Sequence, residues 1–371
     1  KYLHQLPKDE YGNRPTGARV TACRLRGSIS YGLVMLVDSN FGDDPNWNLG
    51  TDVSEYFNVT KFEPPAENVH GDAEKSNSRF YPYTSIEHYG NYPDSLSDLE
   101  EVIFTEKIHG CNVRLGLIVE NDDEGNCQWK LAAGSHSLRR KEYVNSETRL
   151  SIQRLIEQNV IKNLSNIDDV INYNDKFWKV TQIIKPDDIQ DISLYKIQCV
   201  EVDSNGEKIY KKSSYWTCLT DNVKDLLNYI KDNYEFKEPK HSIMIYGEMY
   251  GSAIQDMSYG LTNTLGFKAF DIAINNLYLD YDDQVNLFNK FNVEMVPVLY
   301  KGMFSRAKLV EFTSGPTAIC APEQAGKFKG REGIVVKPVK ELSYCPIVRG
   351  RKIFKSVSVD YLSRKNGTEY H

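Results

Sequence analysis

Residues 105–114 of the chain, TEKIHGCNVR, directly follow the apolar run Val102-Ile103-Phe104. The pattern predicts a buried strand that delivers Lys107 into a tight turn at Gly110. Burying an ammonium group without a partner is costly. Lys107 is therefore either a strand-edge lysine whose stem packs while its head reaches water, or a nucleophile whose pKa is lowered by burial or nearby cations. The rest of the sequence distinguishes these two interpretations.

The composition is that of a globular protein. The 371 residues are enough for two domains, and 40% hydrophobic with 12% aromatic residues can form a substantial core. No apolar run approaches the roughly 18 residues of a membrane span, and we see no signal peptide, so we expect no membrane association. The seven cysteines are scattered without a CxxC pair. We therefore expect free thiols, no zinc site and a cytoplasmic or nuclear location.

Charge is distributed unevenly along the chain. Residues 1–100 contain 9 Lys/Arg against 15 Asp/Glu, whereas residues 322–371 contain 11 against 5. The net charge of −6 therefore conceals a basic C-terminal region. That region is either a solvated tail or a surface that faces phosphate groups.

Two domains are predicted from the spacing of apolar runs. Between residues 1 and 64 these runs are short and separated by Gly, Asn, Asp and Pro, which is typical of a small β-barrel or sandwich. The polar segment 64–98 is interpreted as a connection, with the boundary near residue 97. From residue 101 strand-like runs are accompanied by amphipathic helices over 146–164 and 222–234. Asn205-Gly206 predicts a β-hairpin insertion near 192–219. We expect residues 98–371 to form an α+β domain with much antiparallel sheet.

Four later segments combine strand-like runs with charged residues. They are IMIYGEMYG at 243–251, FKAFDI at 267–272, REGIVVKP at 331–338 and RKIFKSVS at 351–358. Each alone is compatible with a turn, a core strand or an edge strand protected by charge. Their order after Lys107 is more informative than any one of them.

This order resembles the order of motifs in covalent nucleotidyltransferases, which include ATP-dependent DNA ligases, RNA ligases and mRNA-capping enzymes. Within that group, the Lys107-Ile108-His109-Gly110 motif resembles the nick-sealing RNA ligases. RLRGSISYGL at 24–33 and VTKFEPP at 59–65 are similar to the N-terminal OB module of the Deinococcus/Naegleria type of RNA ligase. KSVSVDYL at 355–362 and RKNGTE at 364–369 are similar to its final segment. The resemblance implies an OB-like β-barrel over 1–97, followed by the α+β nucleotidyltransferase domain.

The resemblance also implies a mechanism in which Lys107 carries AMP taken from ATP. Catalytic roles would belong to Lys107, Lys337 and Lys355, and Glu332 would hold Mg²⁺ or Mn²⁺. The metal and the two other lysines would stabilise charge on the α-phosphate and lower the pKa of Lys107. Glu248 would bind the ribose hydroxyls and Phe270 would stack on adenine. The complete set of implied nucleotide contacts is Thr105, Glu106, Arg114, Glu248, Phe270, Asp271 and Lys352.

Two positions depart from the family pattern. Cys111 replaces the usual Thr or Ser, with little expected consequence because it is similarly small. Ile353 stands where related ligases have the first lysine of a Lys-x-Lys pair, so either Lys355 acts alone or Lys352 substitutes for the missing lysine. In GSHSLRRK at 134–141, either Arg139 or Arg140 is expected to engage phosphate.

The implied substrate is RNA with 3′-hydroxyl and 5′-phosphate ends, in a nicked duplex, and we expect a monomer. The OB-like module would supply a second nucleic-acid surface. Three other classes remain open from the sequence: a DNA ligase, a capping guanylyltransferase that uses GTP, and a non-catalytic RNA-binding protein. The hairpin near 192–219 interrupts the matched region, and we expect it to contact substrate or a partner.

Overall fold

A computed structural model of the chain describes residues 72–121, 126–162, 166–185, 195–236, 241–252, 254–326 and 328–364, together with the backbone of residues 23–25 and 28–30. The chain forms two compact units, Lys1–Pro65 with Ser358–His371, and Ala66–Val357. In the first unit, strands β1 (Cys23–Leu25) and β2 (Ser28–Ser30) pair in antiparallel fashion. The other residues up to position 71 of the predicted OB module, and residues 365–369 of the final motif, lie outside the described residues.

The second unit contains the strands from β3 onward. Their bounds are β3 Glu87–His88, β4 Glu101–Lys107, β5 Cys111–Asn121, β6 Cys127–Gly134, β7 Arg139–Arg140, β8 Tyr143–Asn145, β9 Glu147–Ser151, β10 Val170–Tyr173, β11 Lys176–Ile184, β12 Lys196–Val202, β13 Tyr210–Lys212, β14 Ser242–Gly251, β15 Leu265–Ile274, β16 Leu277–Tyr278, β17 Val298–Met303, β18 Gly333–Pro338 and β19 Phe354–Val357. The α-helices of the described chain are α1 Ile152–Glu157, α2 Ser214–Thr217, α3 Asp221–Asn233, α4 Tyr281–Lys290, α5 Arg306–Thr313 and, in the first unit, α6 Val359–Leu362.

Two sheets form the centre of the second unit. The six-stranded sheet has the order β16-β15-β14-β5-β6-β7 and is antiparallel throughout. The five-stranded sheet has the order β17-β4-β18-β19-β3, with only the β19–β3 pair parallel. This mostly antiparallel architecture with a few helices confirms the predicted α+β class.

Helix α3 covers one face of the six-stranded sheet and confirms the helix predicted over 222–234. The Thr220 hydroxyl caps its first turn by accepting from the Val223 amide at 3.5 Å. Val223, Leu226, Leu227 and Ile230 recur at helical spacing and are buried, because this stripe packs against apolar residues of β5 and β14.

The helix predicted over 146–164 is wrong for most of its length. Glu147–Ser151 is strand β9, paired with β12, and only Ile152–Glu157 is helical. The Ser151 hydroxyl accepts from the Arg154 amide at 3.5 Å and so begins the helix there. Asn159, with φ 56°, lies beyond its end. The apolar spacing was misleading because Leu150 belongs to the strand and Leu155 to the helix.

The hairpin expected near 192–219 is also different from the prediction. A short hairpin does occur: the Gly206 amide donates to the Asp203 carbonyl at 3.0 Å, Val202 and Lys208 form an antiparallel bridge, and the Ile209 amide donates to the Glu201 carbonyl at 3.2 Å. The longer flanking strands pair elsewhere. Strand β12 lies in a four-stranded sheet of order β10-β11-β12-β9, and β13 pairs with β8. The small sheet has its own core, which includes Trp178, Ile197 and Leu155. Asn-Gly therefore identified the turn and the short antiparallel bridge beside it, but not the partners of the longer strands β12 and β13.

The segment before β4 packs into the second unit. Phe80, Tyr83, Tyr89 and Leu96 are buried there. The unit accordingly begins at Ala66, earlier than the boundary near residue 97 suggested by the polar composition of this segment. Aromatic residues spaced through a polar stretch supplied its core contacts.

Two further sequence expectations concern thiols and membranes. The six cysteines whose side chains are described are free. None of the helices in the described part of the chain is long and apolar enough to cross a membrane.

Candidate active site

Three lysines point to one side of the five-stranded sheet. Lys107 is the last residue of β4, Lys337 lies on β18 and Lys355 on β19. Val335 is directly opposite both Thr105 and Lys355 in the ladder. Residues opposite each other, or two apart on one strand, face the same side of a sheet. The pairing thus brings together the three lysines predicted from the sequence, with Thr105 between them.

Glu106 faces the other side of this sheet. Phe104 shares that side and is buried in an apolar cluster. The Glu106 carboxylate accepts from the Thr317 hydroxyl at 2.5 Å and from the Ala318 amide at 2.6 Å. Burial raises its pKa in spite of these hydrogen bonds. The Glu106 side chain therefore supports the loop at residues 317–318 and is not placed beside Lys107.

The six-stranded sheet presents a second set of predicted residues on one face. Glu248 and Tyr246 lie two apart on β14, and Tyr246 is opposite Arg114 on β5 and Asp271 on β15. The register shifts between Tyr246 and Gly247, so that Phe270 has no direct partner on β14. A bulge of this kind re-aims side chains next to the irregularity.

The two faces meet across an aromatic cluster. Val335 and Ile353 from the five-stranded side pack with Phe270 and Tyr246 from the six-stranded side. The Tyr83 ring lies between them, with its centroid 4.9 Å from those of both Phe270 and Tyr246. Residues predicted from separate motifs therefore line one cleft between two sheets.

Lys107 and Glu332 form the centre of this cleft. The Lys107 Nζ makes an ion pair with Glu332 Oε1, and the Glu332 side chain is 1% exposed against 23% for Lys107. His109 Nδ1 is 3.8 Å from the other carboxylate oxygen, and His109 Nε2 is 2.6 Å from Asp256 Oδ1. The His109 amide donates to the Tyr259 hydroxyl at 2.8 Å. Nothing in the sequence pattern pointed to Asp256 or Tyr259, because neither lies in a recognisable motif.

Gly110 brings the loop after Lys107 into contact with strand β14. A Cβ at this position would lie 2.3 Å from the Met249 carbonyl oxygen and 2.9 Å from the Glu248 Cγ, so only glycine fits. Burial raises the pKa of Glu248 to about 8; the charge of Glu332 raises it further, while Lys107 and a hydrogen bond from the Gly110 backbone oppose the shift. The carboxyl group of Glu248 is thus close enough to the lysine to be electrostatically coupled to it.

Asp271 is the hub of a buried charge network. Its carboxylate is ion-paired with Lys337 and accepts from Arg351 at 2.7 and 3.0 Å. The Tyr83 hydroxyl donates to it at 2.5 Å. Burial alone would raise the pKa of Asp271, but the charges of Arg351 and Lys337 hold it well below its usual value. Burial lowers the pKa of Lys337. Arg351 was not predicted, although it opens the RKIFKSVS segment.

Lys355 has a histidine neighbour that the sequence analysis missed. Strand β3 pairs with β19 so that His88 lies opposite Lys355. Burial, and secondarily the charge of Lys355, lowers the pKa of His88. Ile353, the departure from Lys-x-Lys, is 2% exposed and contributes to the aromatic cluster instead of a second charge.

Two other predicted residues are held elsewhere. Lys352 Nζ contacts both carboxylate oxygens of Glu100 at 2.6 and 2.7 Å. Glu100 directly precedes β4, whereas Lys107 is the last residue of that strand. Arg114 is 3% exposed and donates to the carbonyl oxygens of Ser135 at 2.6 Å and Phe80 at 2.7 Å. Burial lowers the pKa of Arg114 to about 10. Both contacts secure the scaffold of the cleft.

Arg139 and Arg140 also have local partners. Arg139 pairs with Glu120 and lies 3.2 Å from Glu74. Arg140 pairs with Asp72 at 2.5 Å. The described contacts place neither guanidinium against Lys107.

The cleft offers oxygen ligands suited to a single hard cation together with a nucleotide. No group of three or more His, Cys, Asp or Glu residues in the described ranges has the arrangement of a protein-only metal site. Mg²⁺ is commonly held by one or two carboxylates plus substrate phosphates. Buried Glu332 fits that pattern, since its carboxylate already holds a cation, the Lys107 ammonium.

Comparison with known proteins agrees with this geometry. The profile of the family described as RNA ligase matches residues 100–357, which include every predicted site residue from Thr105 to Lys355. The chain therefore belongs to the RNA ligase family. No curated protein matches it in sequence.

Solved structures of Naegleria gruberi RNA ligase have a similar fold. An arginine variant with ATP and Mn is 19% identical with a TM-score of 0.55, and the match covers 97% of this chain and 80% of that chain. A lysine variant with ATP and Mn is 18% identical, with a TM-score of 0.57 and coverage of 97% and 79%. A glutamate variant with AMP and Mn is 18% identical, with a TM-score of 0.57 and coverage of 95% and 78%.

Proposed function

We propose that this chain is an ATP-dependent RNA ligase in which Lys107 forms the covalent intermediate. The uncharged Nζ attacks the ATP α-phosphate, a nitrogen–phosphorus bond forms, and the bond to pyrophosphate breaks. The main support is the position of Lys107 at the end of β4, on the same face as Lys337 and Lys355 and beside buried Glu332. Because Glu332 pairs with the Lys107 ammonium, the lysine has to separate from Glu332 and lose a proton before it attacks.

The cleft residues suit the other parts of the nucleotide. Phe270 lies at a bulge in the aromatic cluster, from which its ring would stack on adenine. Thr105 and the backbone near Glu106 would border the base. Glu248 would bind the ribose hydroxyls, and with a pKa of about 8 its carboxyl group is able to donate as well as accept hydrogen bonds near neutral pH. Asp271 would act indirectly, by positioning Lys337.

Glu332 would hold Mg²⁺ or Mn²⁺, together with phosphate oxygens of the nucleotide. Such a cation supplies positive charge to the phosphoryl group during transfer. Lys337 and Lys355 would add fixed positive charge from the protein. The Naegleria gruberi structures contain ATP or AMP with Mn, which supports this choice of ligands.

The later steps would join two RNA ends. The 5′-phosphate of the RNA attacks the Lys107-bound AMP, which breaks the nitrogen–phosphorus bond and gives an adenylated 5′ end. The adjacent 3′-hydroxyl then displaces AMP and forms the phosphodiester. The family match and the His109 motif support RNA as substrate, with a nicked duplex as its form. An OB-like module N-terminal to the catalytic unit would add a second nucleic-acid surface. The protein would act as a monomer in a reducing compartment, the cytoplasm or the nucleus.

Incubation with α-labelled ATP and Mg²⁺ or Mn²⁺ tests the proposal. Wild-type protein should retain label, Lys107→Ala should retain none, and Lys352→Ala is the matched lysine control that should behave like wild type. Absence of label on the wild-type protein would refute the enzyme. Label from GTP in place of ATP would identify a capping-type guanylyltransferase. Equal sealing of nicked DNA and nicked RNA would favour a DNA ligase.

A further inference from the structure

Two tyrosines stand exposed on one face of a short β-ribbon, formed by β8 and β13. Tyr143 is 55% exposed and Tyr210 is 59% exposed. In the ladder Tyr143 is opposite Lys212, and Tyr210 is opposite Asn145. The two tyrosines are therefore diagonal neighbours on the same side, about 7–8 Å apart at the backbone. Large aromatic side chains exposed in a pair, next to a lysine, are typical of a binding surface.

The ribbon is fixed to the rest of the protein. The side-chain Nδ2 of Asn145 donates to the backbone carbonyl oxygens of Glu201 at 2.8 Å and Ile209 at 2.7 Å. The buried Glu201 carboxylate accepts from Lys211 at 2.7 and 2.8 Å and from Lys176 at 3.3 Å. Because these contacts hold both strands, the tyrosines are presented without a large ordering cost on binding.

The ribbon lies close to the loop that follows Lys107. The Tyr215 hydroxyl is 3.4 Å from the Cys111 Sγ, four residues after Lys107. The Arg140 guanidinium lies 5.5 Å from the Tyr215 ring centroid. Strand β8 begins three residues after Arg140, and β13 ends three residues before Tyr215. Three residues span at most about 11 Å, and the four residues from Cys111 back to Lys107 at most about 14 Å, so the ribbon is within several nucleotides of the reacting centre.

We infer that the β8–β13 ribbon binds the RNA substrate beside the nucleotidyl-transfer site, through Tyr143 and Tyr210. This inference rests on the proposed function. Aromatic side chains stack on exposed bases of any sequence, and lysines contact the phosphates. Lys208 and Lys212 lie two residues on either side of Tyr210, and Lys212 Nζ is 3.5 Å from Glu142 on the neighbouring strand end. The ribbon would thus hold the RNA near its end while Lys107 transfers AMP.

The test uses the full chain with Tyr143→Ser and Tyr210→Ser combined. Base stacking contributes about 1–3 kcal/mol per base, so affinity for a fluorescent nicked RNA duplex should fall about 10-fold or more. The KM for RNA in sealing should rise by a similar factor. Label transfer from ATP to Lys107 should remain at the wild-type level, since neither tyrosine is among the residues proposed to bind the nucleotide. Combined Tyr143→Phe and Tyr210→Phe, which keep the rings, should retain wild-type affinity.

Tyr344→Ser is the matched control. Tyr344 is 62% exposed, but the loop that holds it follows Pro338, which is opposite Val102 near the start of β4. Urea unfolding of all variants should match wild type, because these rings are exposed. Unchanged RNA affinity and KM in the double serine variant would overturn the inference. The exposed tyrosines would then bind another protein or no partner at all. Failure of wild type to take label from ATP would instead refute the proposed function.

Discussion

Replacing Asp271 by Asn should destabilise the second unit strongly. The change removes the charge that pairs with Lys337 and Arg351 but preserves the volume of the side chain. Lys337 is 7% exposed, and the Arg351 and Asp271 side chains are 2% and 1% exposed. Breaking a buried pair leaves an uncompensated charge and costs about 3–5 kcal/mol. Two cations share this carboxylate, so we expect the upper half of that range.

The effect should depend on pH in a defined direction. The pKa of folded Asp271 lies well below the unfolded value, which is near 4. The charge of Asp271 therefore stabilises the fold fully above pH 4, and this stabilisation is lost as pH falls towards the folded pKa. The difference in unfolding free energy between wild type and Asp271→Asn should therefore be largest near neutral pH. It should shrink below about pH 4.

Urea unfolding followed by tryptophan fluorescence measures this difference. Trp129, Trp178 and Trp216 all lie within Ala66–Val357. Asp94→Asn is the matched control: Asp94 is 89% exposed and pairs with Arg306 at 2.8 Å, an arrangement that contributes less than about 1 kcal/mol. A loss below about 1 kcal/mol for Asp271→Asn, equal to the control, would refute the claim that this network stabilises the cleft.

Three further predictions concern Glu248, the loop after Lys107 and the last motif. In wild type the free energy of unfolding should decline as pH rises from about 4.5 to 8, because the folded Glu248 carboxyl holds its proton more tightly than the unfolded one, and Glu248→Gln should remove this decline. Unfolding without ATP or metal tests this, and parallel pH curves for wild type and variant would contradict it. Gly110→Ala should lower the rate of Lys107 adenylylation about 100-fold, since a displaced loop misplaces the nucleophile; single-turnover labelling at the wild-type rate would be the contrary result. Lys355→Ala should reduce that rate, whereas Lys352→Ala should not, because Lys352 pairs with Glu100; equal losses would contradict the assignment.

Strand positions in the catalytic part were predictable because buried strands leave a short-range signal. The Val102-Ile103-Phe104 run and the REGIVVKP segment became β4 and β18, adjacent in one sheet. The resemblance carried by the order of these segments assigned Lys107 and Glu332 to one site, and in the structure they are in contact. Their contact joins residues 225 positions apart, which only the resemblance to a family could indicate.

The contacts that the sequence did not reveal depend on the packing of distant elements. Arg351 resembles any basic residue before a strand, yet it is buried against Asp271, 80 residues away. Glu106 adjoins Lys107 but faces the opposite side, because successive residues of a strand alternate. The false helix at 146–164 has a similar origin: Leu150 is drawn into a sheet by β12, and local periodicity does not report that partner.

The geometry of Glu332 explains why one carboxylate can serve the lysine and a metal in turn. Gly333 is opposite Lys107, and a Cβ on Gly333 would lie 2.2 Å from the Ser356 carbonyl oxygen, so glycine is what allows β18 and β19 to approach. That approach fixes the start of β18, and with it Glu332, beside the end of β4. Before ATP binds, Glu332 neutralises the Lys107 ammonium. If Glu332 bound the metal when ATP enters, the Lys107 ammonium would lose its partner, and this change favours the neutral, nucleophilic amine. The phosphate charge that arrives with ATP favours the ammonium instead, so positive charge from Lys337 and Lys355 is needed to offset it. Glu332→Gln should therefore impair adenylylation even at saturating Mn²⁺, and rescue by added metal would argue against this shared role.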